Sequence, residues 1–351
     1  MTLALFDDAP EAPAPKEKLT KASVGVLPAP VSQEIQALAQ SLPRQLHLGT
    51  SSWTFPGWAG LVWDQPYAEP KLAKEGLHAY SQHPLLRTVS LDRAFYRPMR
   101  AEEYAALAAQ VGDDFRFVVK VPSMISDALI RATEGERAGQ GLQANPHFLD
   151  AALFDQVCLQ PVLQGLGAKL GALVLQMSPL PAQMFDAGRI FKHFEALAVI
   201  LSAQSAMKLV ASEAVLAVEV RNPQFLQGAC RDEFAALLKA SGATYCLGLH
   251  AKLPPIEEQL PILRQLWPGP LVCRWNLHSK HGQFGYQAAK DSYEPFDKLV
   301  DEDVATRAVL SKVIAGTLKG GKSVLVTINN KAEGSAPLSV AKLAQAVAER
   351  L

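Results

Sequence analysis

The segment LAVEVRNPQF, residues 216–225, places an acid and a base two positions apart, Glu219 and Arg221, at the end of an apolar run. Residues two apart on a strand share a face, so both side chains should emerge together from the end of a buried strand. They could pair there, or hold a ligand between them. Other apolar runs also finish in polar residues. Ser51, Ser52 and Trp53 follow LHLGT, Asp92 and Arg93 follow RTVSL, Lys120 lies in FRFVVKV, and Gln176 lies in GALVLQM. His250 follows ATYCLGL, Arg274 and Asn276 lie in PLVCRWN, and Asn329 and Asn330 end SVLVTINN.

Lys120, Arg221 and Arg274 suit a phosphate or carboxylate, because arginine grips such groups at two points and lysine adds a point charge. Glu219 and Asp92 suit proton transfer once partly buried. Glu219, Asp92 and Lys120 are therefore the candidate catalytic residues. Arg221, Trp53, Ser52, Tyr96, Gln176, Arg274 and Asn329 are the candidate substrate-binding residues. Aromatic side chains of the loops, Trp53, Phe95 and Tyr96 among them, could stack a sugar or base. Trp58 and Trp63 read instead as a cap packing loops onto the body. Asp92, Glu219, His250 and His278 are metal-ligand types, but no H-x-H or H-E-x-x-H spacing occurs, and no metal or cofactor is assigned. TLKGGKS lacks the P-loop frame and precedes a strand, so Gly320 and Gly321 read as a helix stop. NNKAEGSAPLSV leads from the eighth run into the last helix, with Ser335 or Ser339 as cap and backbone N–H groups suited to an anion.

The elements that must position these groups alternate. Eight apolar runs (46–52, 87–92, 115–121, 171–177, 216–221, 243–250, 270–276 and 323–330) are separated by helix-like segments such as EEYAALAAQVG and RDEFAALLKASG. Strands alternating with helices indicate a parallel sheet, and eight such units indicate an α/β protein of the (β/α)8 TIM-barrel class. No G-x-G-x-x-G follows the first run, which disfavours an open dinucleotide-binding sheet. The stretches 121–147 and 276–296 are the long connections, both leaving C-terminal strand ends, where barrels place their working loops. Residues 1–30, rich in Pro, Ala and Lys, read as a flexible arm. Residues 31–45 read as a short helix capped at Ser32 and stopped by Pro43, and 46–351 as one barrel domain.

Lys+Arg and Asp+Glu are 34 each among 351 residues, so the formal net charge is zero. That balance argues against broad capture of nucleic acid or an anionic membrane surface. Cys158, Cys230, Cys246 and Cys273 form no C-x-x-C pair and read as reduced thiols. MTLALFDDAP has no basic n-region, and no run approaches the ~20 apolar residues that span a bilayer. A cytoplasmic protein is expected.

Taken in order, GTSSWTFPGWAG, VSLDRAFYRP, FRFVVKVPSMISD, LGALVLQMSP, LAVEVRNPQF and TINNKAEGSAPLSVAKLA resemble the YecE-like family, domain of unknown function 72. The resemblance covers the chain from about His47 onward and implies a TIM barrel, without an established activity. It implies that the recurrent polar positions fall on Ser52, Trp53, Asp92, Tyr96, Lys120, Gln176, Glu219, Arg221 and Asn329. Three places depart from it. The family's V-E-x-N reads Val89-Ser90-Leu91-Asp92 here, its I-T-H reads Ile125-Ser126-Asp127, and its R-x-H-G reads Arg274-Trp275-Asn276-Leu277-His278. The leading expectation is an enzyme acting on a small phosphorylated or carboxylated substrate at the barrel mouth. Two other readings stay open: a nucleic-acid-processing barrel, and a non-catalytic barrel binding a metabolite or protein. The oligomeric state is not set by the sequence.

Overall fold

Each of the eight apolar runs forms a strand in the computed structural model, which describes residues 25–130, 143–185, 189–250, 253–282 and 284–351. The barrel strands are β1 (Leu46–Thr50), β2 (Thr88–Leu91), β3 (Arg116–Lys120), β4 (Leu170–Gln176), β5 (Val215–Glu219), β6 (Thr244–Leu249), β7 (Leu271–Trp275) and β8 (Val324–Ile328). Neighbours in sequence pair in parallel, and β1 pairs with β8 to close the ring. The TIM-barrel expectation therefore holds. Gly49 permits the β1–β2 approach, since a Cβ there would lie 1.8 Å from the Thr88 carbonyl oxygen.

The two-residue period of the strands builds the interior in layers. Val118, Val174, Ala217, Cys246, Val272 and Leu325 pack together as an apolar layer inside the barrel. Two positions further along their strands stand Lys120, Gln176, Glu219 and Arg274, all buried. The polar layer at the C-terminal end is thus a continuation of the same inward rows.

Helices cover the outside. The helix Glu69–Ser81 between β1 and β2 escapes the periodicity reading, although Pro70 in its first turn is a start signal. The run 148–167 reads as one helix but folds as Ala151–Phe154, a π turn Asp155–Leu159, and Gln160–Leu166. Pro161 has no N–H to continue the α ladder, and the Gln160 N–H reaches back to the Asp155 carbonyl, which widens the turn. Ser32 caps the helix Gln33–Ser41 through the Ile35 N–H, as expected.

Of the arm expected over residues 1–30, only 25–30 fall within the described residues. Residues 1–24 lie outside them, but 25–30 dock against the loop after β1. Val26 and Ala29 are buried, the Ala29 N–H donates to the Val62 carbonyl, and the Asp64 N–H donates to Leu27. These two apolar side chains and the backbone pairing outweigh the Pro-rich composition. Residues 131–142, in the middle of the long third connection, also lie outside the described residues. Gly320 caps Val304–Lys319 with Gly321 at φ +70°, so the helix-stop reading of TLKGGKS holds. Among the described residues, no helix is long and apolar enough to cross a membrane.

Candidate functional site

The mouth begins with β5. Glu219 is its last residue and is fully buried, with Arg221 just beyond the strand end. The two pair, Arg221 Nη2 against Glu219 Oε1. Arg274, from β7, donates Nη1 to Glu219 Oε2 at 2.6 Å and to Gln176 Oε1 at 3.0 Å. Its Nη2 meets both oxygens of Asp92, at 3.2 and 3.1 Å. Gln176 Oε1 also accepts from Arg221 Nη2 at 3.1 Å. Four strand ends are therefore tied into one network. Ser90 joins it, donating its hydroxyl to Asp92 Oδ1 at 2.6 Å. The acid that the family pattern places at position 90 is met here by an acid two residues later, on the Arg274 side of the mouth.

Burial by itself pushes the Glu219 carboxyl up. Arg221, Arg274 and Lys120 outweigh it and hold the group down to about 2. Glu219 is thus a fixed anion at neutral pH, gripped by two guanidiniums. Arg274 also loses by burial, but Asp92 and Glu219 raise it above its ordinary value.

Lys120 differs from both arginines. It is 5 % exposed, and its Nζ lies over the Phe95 ring at 3.8 Å. It makes no hydrogen bond or ion pair to a described residue. Burial, with Arg274 adding to it, lowers this amine to about 8 against the opposing pull of Asp92 and Glu219. Three cations (Lys120, Arg221 and Arg274) thus face two carboxylates (Asp92 and Glu219), leaving one positive charge over. Arg221 commits only Nη2 among the described residues, so its remaining donors are open to a ligand. Such a site can clamp an anion, and it holds an amine whose proton is exchangeable near neutral pH.

The other expected residues divide. Asn329 directly follows β8 and donates to Ser51 Oγ at 2.8 Å, with Tyr286 Oη at 3.5 Å. Tyr96 stands 78 % exposed on the rim, packed edge-on against Phe95. Ser52 is half-buried, with Thr54 as its side-chain neighbour at 3.5 Å. Trp53 is not brought to the network. Its ring is buried in the core and its indole N–H donates to the Leu72 carbonyl at 3.0 Å, so helix packing claims it. Trp58 and Trp63 are fully buried and stacked 6.5 Å apart, as a loop cap should be. Ser335 sits at the N-cap of Ala336–Ala348 without a side-chain capping bond. Asn330 Oδ1 supplies it instead, accepting from the Ala336 N–H at 2.8 Å and from the Trp58 indole at 3.2 Å. Asp127, another departure from the family pattern, accepts from Ser178. Among the described residues, no three His, Cys, Asp or Glu side chains are grouped to hold a metal ion.

Sequence reasoning missed Lys331. It is 7 % exposed, and its Nζ lies 4.2 Å from the Tyr286 ring centroid and 5.6 Å from that of Phe296. Its position directly after Asn329 and Asn330, at the end of the eighth run, was the available signal.

The family model described as "Protein of unknown function DUF72" matches residues 47–351. A DUF72 family protein of Enterococcus faecalis is similar in two crystal structures. One shares 19 % identity over 86 % of this chain and 95 % of that one, with a TM-score of 0.53. The other shares 17 % over 86 % and 96 %, with a TM-score of 0.50. A Thermotoga maritima DUF72 protein shares 18 % over 86 % and 96 %, with a TM-score of 0.46. No curated protein matches the chain. The chain belongs to the DUF72 family.

Proposed function

We propose that this DUF72 barrel binds a small phosphorylated or carboxylated substrate at its C-terminal mouth and exchanges a proton with it through Lys120. The observation that carries the reading is Lys120 itself, a buried cation beside two arginines and without a carboxylate partner among the described residues. A cation left so is costly unless a ligand supplies the counter-charge. In this reading Lys120 and the uncommitted donors of Arg221 hold the anion. Glu219, Asp92 and Gln176 fix Arg274 and Arg221 in place, so Glu219 positions the clamp rather than moving protons. Tyr96, Ser52 and Asn329 form the rim toward the rest of the substrate. We also infer a reducing, cytoplasmic setting. Four cysteines without disulfides, three of them buried, support that placement.

The test is a thermal-shift series with inorganic phosphate, citrate, sugar phosphates and short oligonucleotides, because a ligand of the folded state alone raises Tm. A shift with phosphates or carboxylates that Lys120→Met and Arg221→Ala both abolish is expected. A shift confined to oligonucleotides, no shift with any anion, or a shift that survives both substitutions overturns the reading. Where turnover is found, Lys120→Met should lower kcat by about 10²–10⁴-fold, the usual share of a proton-transfer group.

A further inference from the structure

The mouth carries a second lysine built like the first. Lys120 and Lys331 leave different strand ends, yet both are more than nine-tenths buried, and both set the amine over an aromatic ring. Lys331 makes no hydrogen bond or ion pair from its amine to a described residue. Its main chain is fixed on both sides: its N–H donates to Asn329 Oδ1 at 3.0 Å, and its carbonyl accepts from the His278 N–H at 3.0 Å. The lysine is therefore held in place without an ion-pair partner among the described residues.

Tyr286 connects the two positions. Its ring carries Lys331, while its hydroxyl lies 3.5 Å from Asn329 Nδ2 and within electrostatic reach of Asp92 and Arg274. Lys331 thus stands one side chain away from the Lys120–Arg221–Arg274 network. An aromatic face attracts a cation, but it does not replace hydration or an ion pair. The other charges that bear on the amine are Lys290, which repels it, and Glu294, which favours it. No described carboxylate forms an ion pair with the Lys331 amine.

We infer that the mouth takes a substrate with two anionic groups, one at Lys120 and Arg221 and the other at Lys331 beside Tyr286. The inference rests on the anion-binding reading above and names its substrate class. A monoanion would fill the first position only, whereas a linear bisphosphate or dicarboxylate of matching length would span both. Tyr286 and Asn329 would line the path between them.

The experiment compares alkyl monophosphates with propane- to hexane-diyl bisphosphates by calorimetry on the full chain. One bisphosphate length should bind at least about tenfold more tightly than its monophosphate. Lys331→Met keeps the apolar stem over Tyr286 and should remove that advantage while leaving monophosphate affinity unchanged. Lys120→Met should weaken both ligands. If Lys331→Met leaves the bisphosphate advantage intact, or weakens both ligands equally, the second position is overturned while the first stands. If the wild-type protein binds neither ligand, both readings fall. A lower Tm for Lys331→Met with unchanged affinities would make Lys331 a packing residue and also overturn the inference.

Discussion

The two ends of the barrel both bury positive charge, but they use it differently. At the N-terminal end, Arg87 Nη1 donates to the carbonyls of Pro43 and Leu46, and Arg116 Nη1 to those of Asp113 and Phe115. His47, buried between them, is held neutral. Burial, then Arg87 and Arg116, lowers it to about 3. The cavity there is about 200 Å³ and also includes Asp114 and Glu213. At the C-terminal end, Arg274 meets carboxylates from two other strands, Arg221 meets Glu219 of its own strand, and a lysine is left over. The N-terminal arginines are spent mainly on carbonyls, with one 3.8 Å ion pair from Arg116 to Glu213, and stitch strand starts together. Cations that outnumber their acids in a buried cluster are suited to receive an anion. Barrels generally place function at the C-terminal face and stability at the other, and here the partners of each cation express that division.

The largest effect is expected at Glu219. Glu219→Ala leaves Arg221 and Arg274 without their buried partner and should cost about 3–5 kcal/mol of stability in urea unfolding. A loss under about 1 kcal/mol would mean that the network is not a coupled unit. Next in size is the split effect of Lys120→Met. Phosphate affinity should fall by about 1.5–3 kcal/mol, the worth of a charge-assisted hydrogen bond. Urea stability should stay level or rise, because a buried unpaired charge has gone. Arg87→Met, at the other end, should do the reverse. Two carbonyl bonds are lost, stability falls by about 1–3 kcal/mol, and calorimetric phosphate affinity is unchanged.

The smallest effect is on pH dependence. The Lys120 amine titrates near 8 when folded and near its ordinary 10.5 when unfolded, so between those values the unfolded chain binds more protons. Its contribution therefore makes stability rise with pH across that window, and Lys120→Met should flatten the Tm-against-pH curve there. Anion affinity should fall as pH climbs through 8. Glu219 acts in the opposite range. Its stabilisation is present above its ordinary 4.5 and is lost as acid approaches 2. A wild-type anion affinity that is flat from pH 7 to 10 would separate Lys120 from the binding site.

Much of the fold was legible because strand formation and inward facing are local properties. The apolar runs mark the eight strands, and the two-residue period carries the rows from Val118 to Lys120, Ala217 to Glu219 and Val272 to Arg274. The docking of residues 25–30 was hidden by its Pro-containing composition, whereas the helix Glu69–Ser81 carried a start signal at Pro70. Trp53 looked like a ligand-stacking residue, because sequence alone does not show that the Leu72 carbonyl waits for its indole.

Periodicity and order along the chain already encode the barrel, the family and most of the polar side chains at one mouth, Lys331 excepted. Only the tertiary structure decided the pairing. Arg274 reaches Glu219 across 55 residues, Gln176 across 98 and Asp92 across 182. Those contacts exist because the ring closes, and closure decides which cations are neutralised. It satisfies Arg274, half-commits Arg221, and leaves Lys120 and Lys331 on aromatic faces without an ion-pair partner among the described residues. Charge balance in a buried cluster is a property of distances between strands, which position along the chain does not encode.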